Sequence, residues 1–154
     1  MKPYADTNVL TRLYLSLPET PAASPLLRSA DWTDAERIPI TWLHRSEFAN
    51  AVAIHVFLGQ QGGHIRVTPE QAALAHALFA DDLRAAEFCA FTEISPDDLI
   101  SQVETLARRH TARHGFRTYD LMHVASALLL GCDRFWRFDA KASHLAELEG
   151  LKLR

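Results

Sequence analysis

Short strand-like runs alternate with helical segments along almost the whole chain, and few architectures accept that order. The runs are Lys2-Pro3-Tyr4-Ala5, Ile38-Pro39-Ile40-Thr41, Phe88-Cys89-Ala90-Phe91-Thr92-Glu93-Ile94, Arg134–Phe138 and Leu151-Lys152-Leu153. The segments between them carry helical periodicity or helix-start signals. Strand–helix alternation predicts an α/β fold with a parallel sheet sandwiched between helices. Pro39 marks its strand as an edge or irregular one, because proline cannot donate to a ladder.

The helices follow from their caps and stripes. Residues 7–16 form the first, capped by Asp6 or Thr7, and residues 22–31 a short second. Over 42–60, Trp42, Ala49, Val52, Ala53, Val56 and Phe57 recur at helical spacing and mark one face, with Glu47 on its flank. Thr68 caps a helix that has Pro69 in its first position and runs to about residue 85. Ser95 caps another, through about residue 113. From Thr118 to Leu129, the residues Leu121, Val124, Ala125, Leu128 and Leu129 trace a buried face, and Gly131 stops the helix. A last helix spans 140–149 and ends at Gly150. Pro18, Pro21 and Pro25 punctuate an early connection and Gly62-Gly63 a turn; neither is a domain linker. One domain over residues 1–154 is expected.

Composition narrows the function classes. The chain is 48% hydrophobic and 23% charged, an ordinary globular balance, and no apolar run approaches a membrane span. The first residues lack the apolar stretch of a signal peptide. Cys89 and Cys132 lie in apolar surroundings and are read as reduced core thiols, which points to the cytoplasm. Cysteine and histidine are not clustered at zinc spacing. A net charge of −3 argues against a coat of positive potential for general nucleic-acid binding, but leaves room for a nuclease whose metal ions supply charge at the phosphate.

Four acids stand beside apolar segments, where an unpartnered charge is costly: Asp6, Glu47, Asp120 and Asp139. Asp6 and Asp139 follow strands, and in open parallel sheets ligands bind beyond the carboxyl ends of the strands. Taken singly, each acid has an ordinary role in a cap, a helix start or an ion pair. As a set, they suit a hard divalent cation such as Mg²⁺, which prefers oxygen ligands.

The chain resembles the PIN domains, and among them the VapC-type toxins of bacterial type II toxin–antitoxin systems. The resemblance rests on Tyr4-Ala5-Asp6-Thr7-Asn8-Val9-Leu10, Ser46-Glu47-Phe48-Ala49-Asn50-Ala51, Arg117-Thr118-Tyr119-Asp120-Leu121-Met122-His123-Val124-Ala125-Ser126-Ala127 and Phe138-Asp139-Ala140-Lys141. Leu145-Ala146 followed by Gly150-Leu151 fits the closing pattern. The resemblance implies a three-layer α/β/α fold with a central, mostly parallel sheet. It also implies an endoribonuclease dependent on Mg²⁺ or Mn²⁺, with Asp6, Glu47, Asp120 and Asp139 as metal-binding catalytic acids. Asn8 and Thr118 would take supporting places, and products would carry 5′-phosphate and 3′-hydroxyl ends. Implied partners are RNA, a cognate VapB-type antitoxin and a second copy in a homodimer.

Other features are read beside this. Arg108, Arg109, Arg113 and Arg117, with His110 and His114, form a basic patch that could track RNA, with Arg113 and Arg117 as contacts, or a solvated helix face. His123, one turn after Asp120, is read as a helix-face or hydrogen-bonded histidine rather than a ligand. Trp32, Trp42 and Trp136 are read as core or interface aromatics. Two other functions compete: an aspartyl phosphotransferase or phosphatase, which Asn8 disfavours by replacing the usual companion acid, and a catalytically silent binding module. A PIN-fold RNA-processing nuclease outside any toxin system is a further alternative.

Overall fold

The computed structural model describes residues 2–17, 37–138 and 140–153. The expected helix at 22–31, Trp32 and Asp139 lie outside the described residues. In chain order the elements are β1 (Pro3–Ala5), α1 (Thr7–Leu15), β2 (Ile38–Ile40), α2 (Trp42–Gln60), α3 (Pro69–Ala85) and β3 (Cys89–Phe91). They continue with α4 (Pro96–Leu106), a π-helical turn (Ala107–Thr111), α5 (Ala112–His114), α6 (Thr118–Leu129), β4 (Arg134–Trp136), α7 (Ala140–Leu148) and β5 (Lys152–Leu153).

The strands all pair in parallel. β4 lies between β1 and β5, with Tyr4 opposite Phe135 and Phe135 opposite Leu153, while β2 pairs with β3, with Pro39 opposite Ala90. The expected single sheet is therefore two ladders, with β1 and β2 packed side by side between them. Proline explains the seam. Ile38 N donates to Phe88 O and Thr92 N to Ile40 O, each at 2.8 Å, so residues 38 and 40 bond toward β3. Pro39 faces β1 and has no N–H to give. A side chain closes part of the gap. Thr41 N donates to His44 Nδ1 at 3.0 Å, which leaves Nε2 to donate to Ala5 O at 2.9 Å. Burial pushes the His44 pKa down to about 3, so the ring stays neutral in this role.

Successive strand residues point to opposite faces and feed two cores. Tyr4 and Phe135 join Leu106, Leu121, Val124 and Leu145 beneath α4, α6 and α7. Ala5 and Trp136 join Leu10, Ile40, Phe48, Val52 and Phe79 beneath α1, α2 and α3. This is the expected three-layer arrangement.

The caps behave as expected. Thr68 Oγ1 accepts from Gln71 N at 3.2 Å and Gln71 Oε1 accepts from Thr68 N at 2.9 Å, with Pro69 in the first turn. Gly62 holds a positive φ of 83° in the turn after α2. Strands are shorter than the apolar runs, and the helix begun at Ser95 passes through the π-helical turn.

Two helix faces need correction. In α2 the buried residues are Leu43, His44, Phe48 and Val52; Trp42, Ala49, Ala53 and Phe57 are exposed. The helical period holds, but apolar residues recur on two stripes of the helix, and the core takes the one carrying a histidine. In α6, Leu129 is exposed and His123, Ser126 and Ala127 are buried with Leu121, Val124 and Ala125. Both cysteines are free and buried thiols, each pushed up to about 12 chiefly by burial. Among the described residues no helix is long and apolar enough to cross a membrane.

Candidate active site

Three of the expected acids line one cleft beyond the carboxyl ends of β1 and β4. Asp6 is the first. Its N–H donates to Trp136 O at 3.0 Å, the last link between the two strands, and its Oδ1 accepts from Val9 N at 3.1 Å to cap α1. Strand end and helix start thus fix one carboxylate on both sides, only 5% exposed. Burial raises its pKa above the ordinary range; His123, the Val9 bond and Arg137 pull the other way without prevailing.

Glu47 comes from the second turn of α2. Its Oε2 accepts from the Thr7 hydroxyl at 2.6 Å and from His123 Nε2 at 2.5 Å. The other ring nitrogen, Nδ1, shares a 2.9 Å bond with the Tyr4 hydroxyl. A chain of side chains therefore runs from β1 through α6 to α2. Burial pushes the Glu47 carboxyl up, but the bonds and charge of His123 and the bond from Thr7 outweigh it, and the net shift is downward. Burial also holds the Tyr4 hydroxyl protonated, well above its ordinary pKa.

Asp120 comes from the first turn of α6. Its Oδ2 accepts from Arg117 N at 3.2 Å, closing the helix start. Its Oδ1 lies 4.0 Å from Nη1 of Arg137, whose Nε lies 3.7 Å from Asp6 Oδ2. The Arg137 side chain is 2% exposed. It is the first residue past β4. β1 ends its pairing at Asp6, so the chain leaves the sheet here and carries the guanidinium toward the acids.

These residues open into a cleft of about 680 Å³. Asn8 and Thr118 line it, as do Arg117, Tyr119 and Trp42, the last 38% exposed. Arg113 is not among the lining residues. Of the basic patch, Arg108 pairs with Glu104 at 3.3 Å, and Arg109 and His110 share Glu149 at 2.8 and 2.6 Å. Three of its side chains thus pair with local acids, as the solvated-face reading expects. Trp136 is a core residue, as expected.

The donor set suits a hard cation in kind: carboxylates from three distant segments open into one cleft and offer oxygen alone. In spacing it is incomplete. Among the described residues no three His, Cys, Asp or Glu side chains stand close enough together to hold an ion.

A parallel α/β/α fold with carboxylates gathered beyond its strand ends defines the class of protein. The chain belongs to the PIN domain family, whose model matches residues 4–148. Solved structures that share the fold include two from bacterial toxin systems. VapC20 of Mycobacterium tuberculosis, a toxin that cleaves the sarcin–ricin loop, is 18% identical, with a TM-score of 0.61 over 93% of this chain and 94% of its own. VapBC2 of Rickettsia felis, bound to a DNA fragment from their promoter, is 13% identical, with a TM-score of 0.63 over 100% of this chain and 98% of the compared one. None of the curated proteins matches this sequence.

Tyr4, Thr7 and Arg137 join the site unexpectedly, while His123 is the hydrogen-bonded histidine expected from its helix. Arg137 had a legible signal, a charge set inside the apolar run Phe135-Trp136-Arg137-Phe138. His123 shares a helix face with Asp120 by its spacing of three, but nothing local shows that Tyr4 and Glu47 arrive on either side of it.

Proposed function

We propose that this chain is a metal-dependent endoribonuclease and the toxin of a type II toxin–antitoxin pair. One observation carries the reading: Asp6 after β1, Glu47 of α2 and Asp120 of α6 open into one cleft at the carboxyl edge of the strands in a PIN-family chain. With Asp139 they would hold Mg²⁺ or Mn²⁺. Bound there, the ion would acidify a water and offset charge on the scissile phosphate.

The protein's part is positioning. Thr7 and His123 fix Glu47, the α1 start fixes Asp6, and the α6 start fixes Asp120. These backbone caps and part-buried side-chain bonds tie each carboxylate to its own element and limit the orientations it can take. Arg117 at the rim suits an RNA phosphate, and exposed Tyr119 and Trp42 offer aromatic faces to unpaired bases. Asn8 and Thr118 take supporting places in the wall. Products with 5′-phosphate and 3′-hydroxyl ends follow from attack by water with departure of the 3′ oxygen.

The toxin assignment draws support from the shared fold with VapC20 and VapBC2. It also draws support from exposed Ile54, Phe57, Leu58, Leu74 and Leu78 on the packed helices α2 and α3, which suit an amphipathic antitoxin segment of the VapB type or a homodimer partner. A cytoplasmic location accords with two free thiols. Expression in a bacterial host tests the reading. Wild type should arrest growth with newly cut RNA, and Asp120→Asn should do neither. Equal growth with intact RNA from both, at matched soluble levels, would contradict it.

A further inference from the structure

We propose that Arg137 is the resident counter-charge of the acidic site: a positioning residue that holds Asp6 and Asp120 about itself without an ion and lowers the site's affinity for a divalent cation. The inference rests on the ligand role assigned above to the acids.

The geometry is specific. One guanidinium addresses two carboxylates from different elements, Nε toward Asp6 and Nη1 toward Asp120, at 3.7 and 4.0 Å. These are ion-pair distances, longer than hydrogen bonds. Each acid spends its other oxygen on a backbone N–H, Val9 N for Asp6 and Arg117 N for Asp120. The oxygens that face Arg137 are therefore those left for a metal. The guanidinium stands on their side of the cleft, its side chain 2% exposed. Among the described residues no three candidate ligands reach common spacing. Acids gathered about a guanidinium stand wider apart than acids gathered about an ion of about 2 Å bond length. A dication entering here meets a fixed positive charge and has to draw the acids away from it.

The test is Mn²⁺ titration of the purified full chain by calorimetry, with melting curves with and without the ion. Arg137→Gln should bind Mn²⁺ at least about tenfold more tightly than wild type. It should also melt lower than wild type without metal and gain more from added Mn²⁺. Arg137→Lys keeps a charge, but one ammonium cannot face both acids, so its affinity should fall between, about threefold above wild type. This second variant decides the matter if the glutamine variant does not fold. Equal or weaker Mn²⁺ binding by either folded variant would overturn the proposal while leaving the ligand reading intact. No binding by wild type or by either folded variant would overturn the ligand reading and this proposal together.

Discussion

Replacing Asp6 with Asn removes a buried charge and keeps almost everything else. Asparagine caps a helix about as well as aspartate, so the Val9 bond survives. The loss is attraction to Arg137 at 3.7 Å, about 4.5 kcal/mol gross at an effective dielectric near 20. Against it stands a desolvation penalty of several kcal/mol for a buried carboxylate. Arg137 keeps Asp120 at 4.0 Å, so it is not stranded. The raised pKa says which side wins: the folded protein disfavours the Asp6 charge, with burial the leading cause. Asp6→Asn should therefore be more stable than wild type at pH 7, each 1 kcal/mol of gain showing as about 2–4 °C in Tm for a chain of this length. The pH dependence follows. Between its ordinary value of 3.8 and the raised folded value, Asp6 binds its proton more tightly in the folded state, so wild-type stability falls as pH rises through that window. The asparagine variant lacks this dependence. Urea unfolding of both proteins from pH 4 to 8 should show its advantage growing with pH to a plateau. A variant less stable than wild type at pH 7, with the deficit shrinking on acidification, would refute the reasoning: attraction to Arg137 would then outweigh the cost of burying the carboxylate.

Further expectations can be measured alongside. Tyr4→Phe deprives His123 Nδ1 of its buried partner and should cost about 1–3 kcal/mol in urea unfolding, whereas no loss would mean that water replaces the hydroxyl. Glu149 has a lowered pKa, because His110 and Arg109 outweigh burial. Its stabilising part should be present above its ordinary value of 4.5 and vanish as pH falls through the folded value, so Glu149→Gln should destabilise at pH 7 and match wild type in acid. Arg117→Glu should cut RNA cleavage about tenfold or more and reduce its salt dependence, while Arg113→Glu, outside the cleft wall, should change it little. Equal effects would restore the wider basic patch as the RNA track.

Local signals carried most of the fold. Thr68 with Pro69, Ser95 with Pro96 and the glycines after α6 and α7 set helix limits within a residue or two, because caps depend on neighbours in sequence. Pro39 announced an irregular strand, and the seam between β1 and β2 lies there. Faces were harder. α2 carries apolar residues on two stripes, so the buried one is chosen by what β1 and α1 present to it; the neutral His44 that bonds Ala5 reads locally as polar. In the site, the acids stood out because each stands beside an apolar segment. Tyr4 and Thr7 looked like strand and cap residues, and their bonds to His123 and Glu47 span 119 and 40 positions. No window of sequence contains such a pairing.

The most direct measurement is cleavage of total RNA by purified protein with Mg²⁺ or Mn²⁺, against EDTA and Asp6→Asn controls, with fragment ends mapped. A metal-dependent nuclease built on these acids should cut at discrete positions, leave 5′-phosphate and 3′-hydroxyl ends, and give no product in either control. Intact RNA with folded, metal-loaded wild-type protein, or equal cleavage by Asp6→Asn, would contradict it.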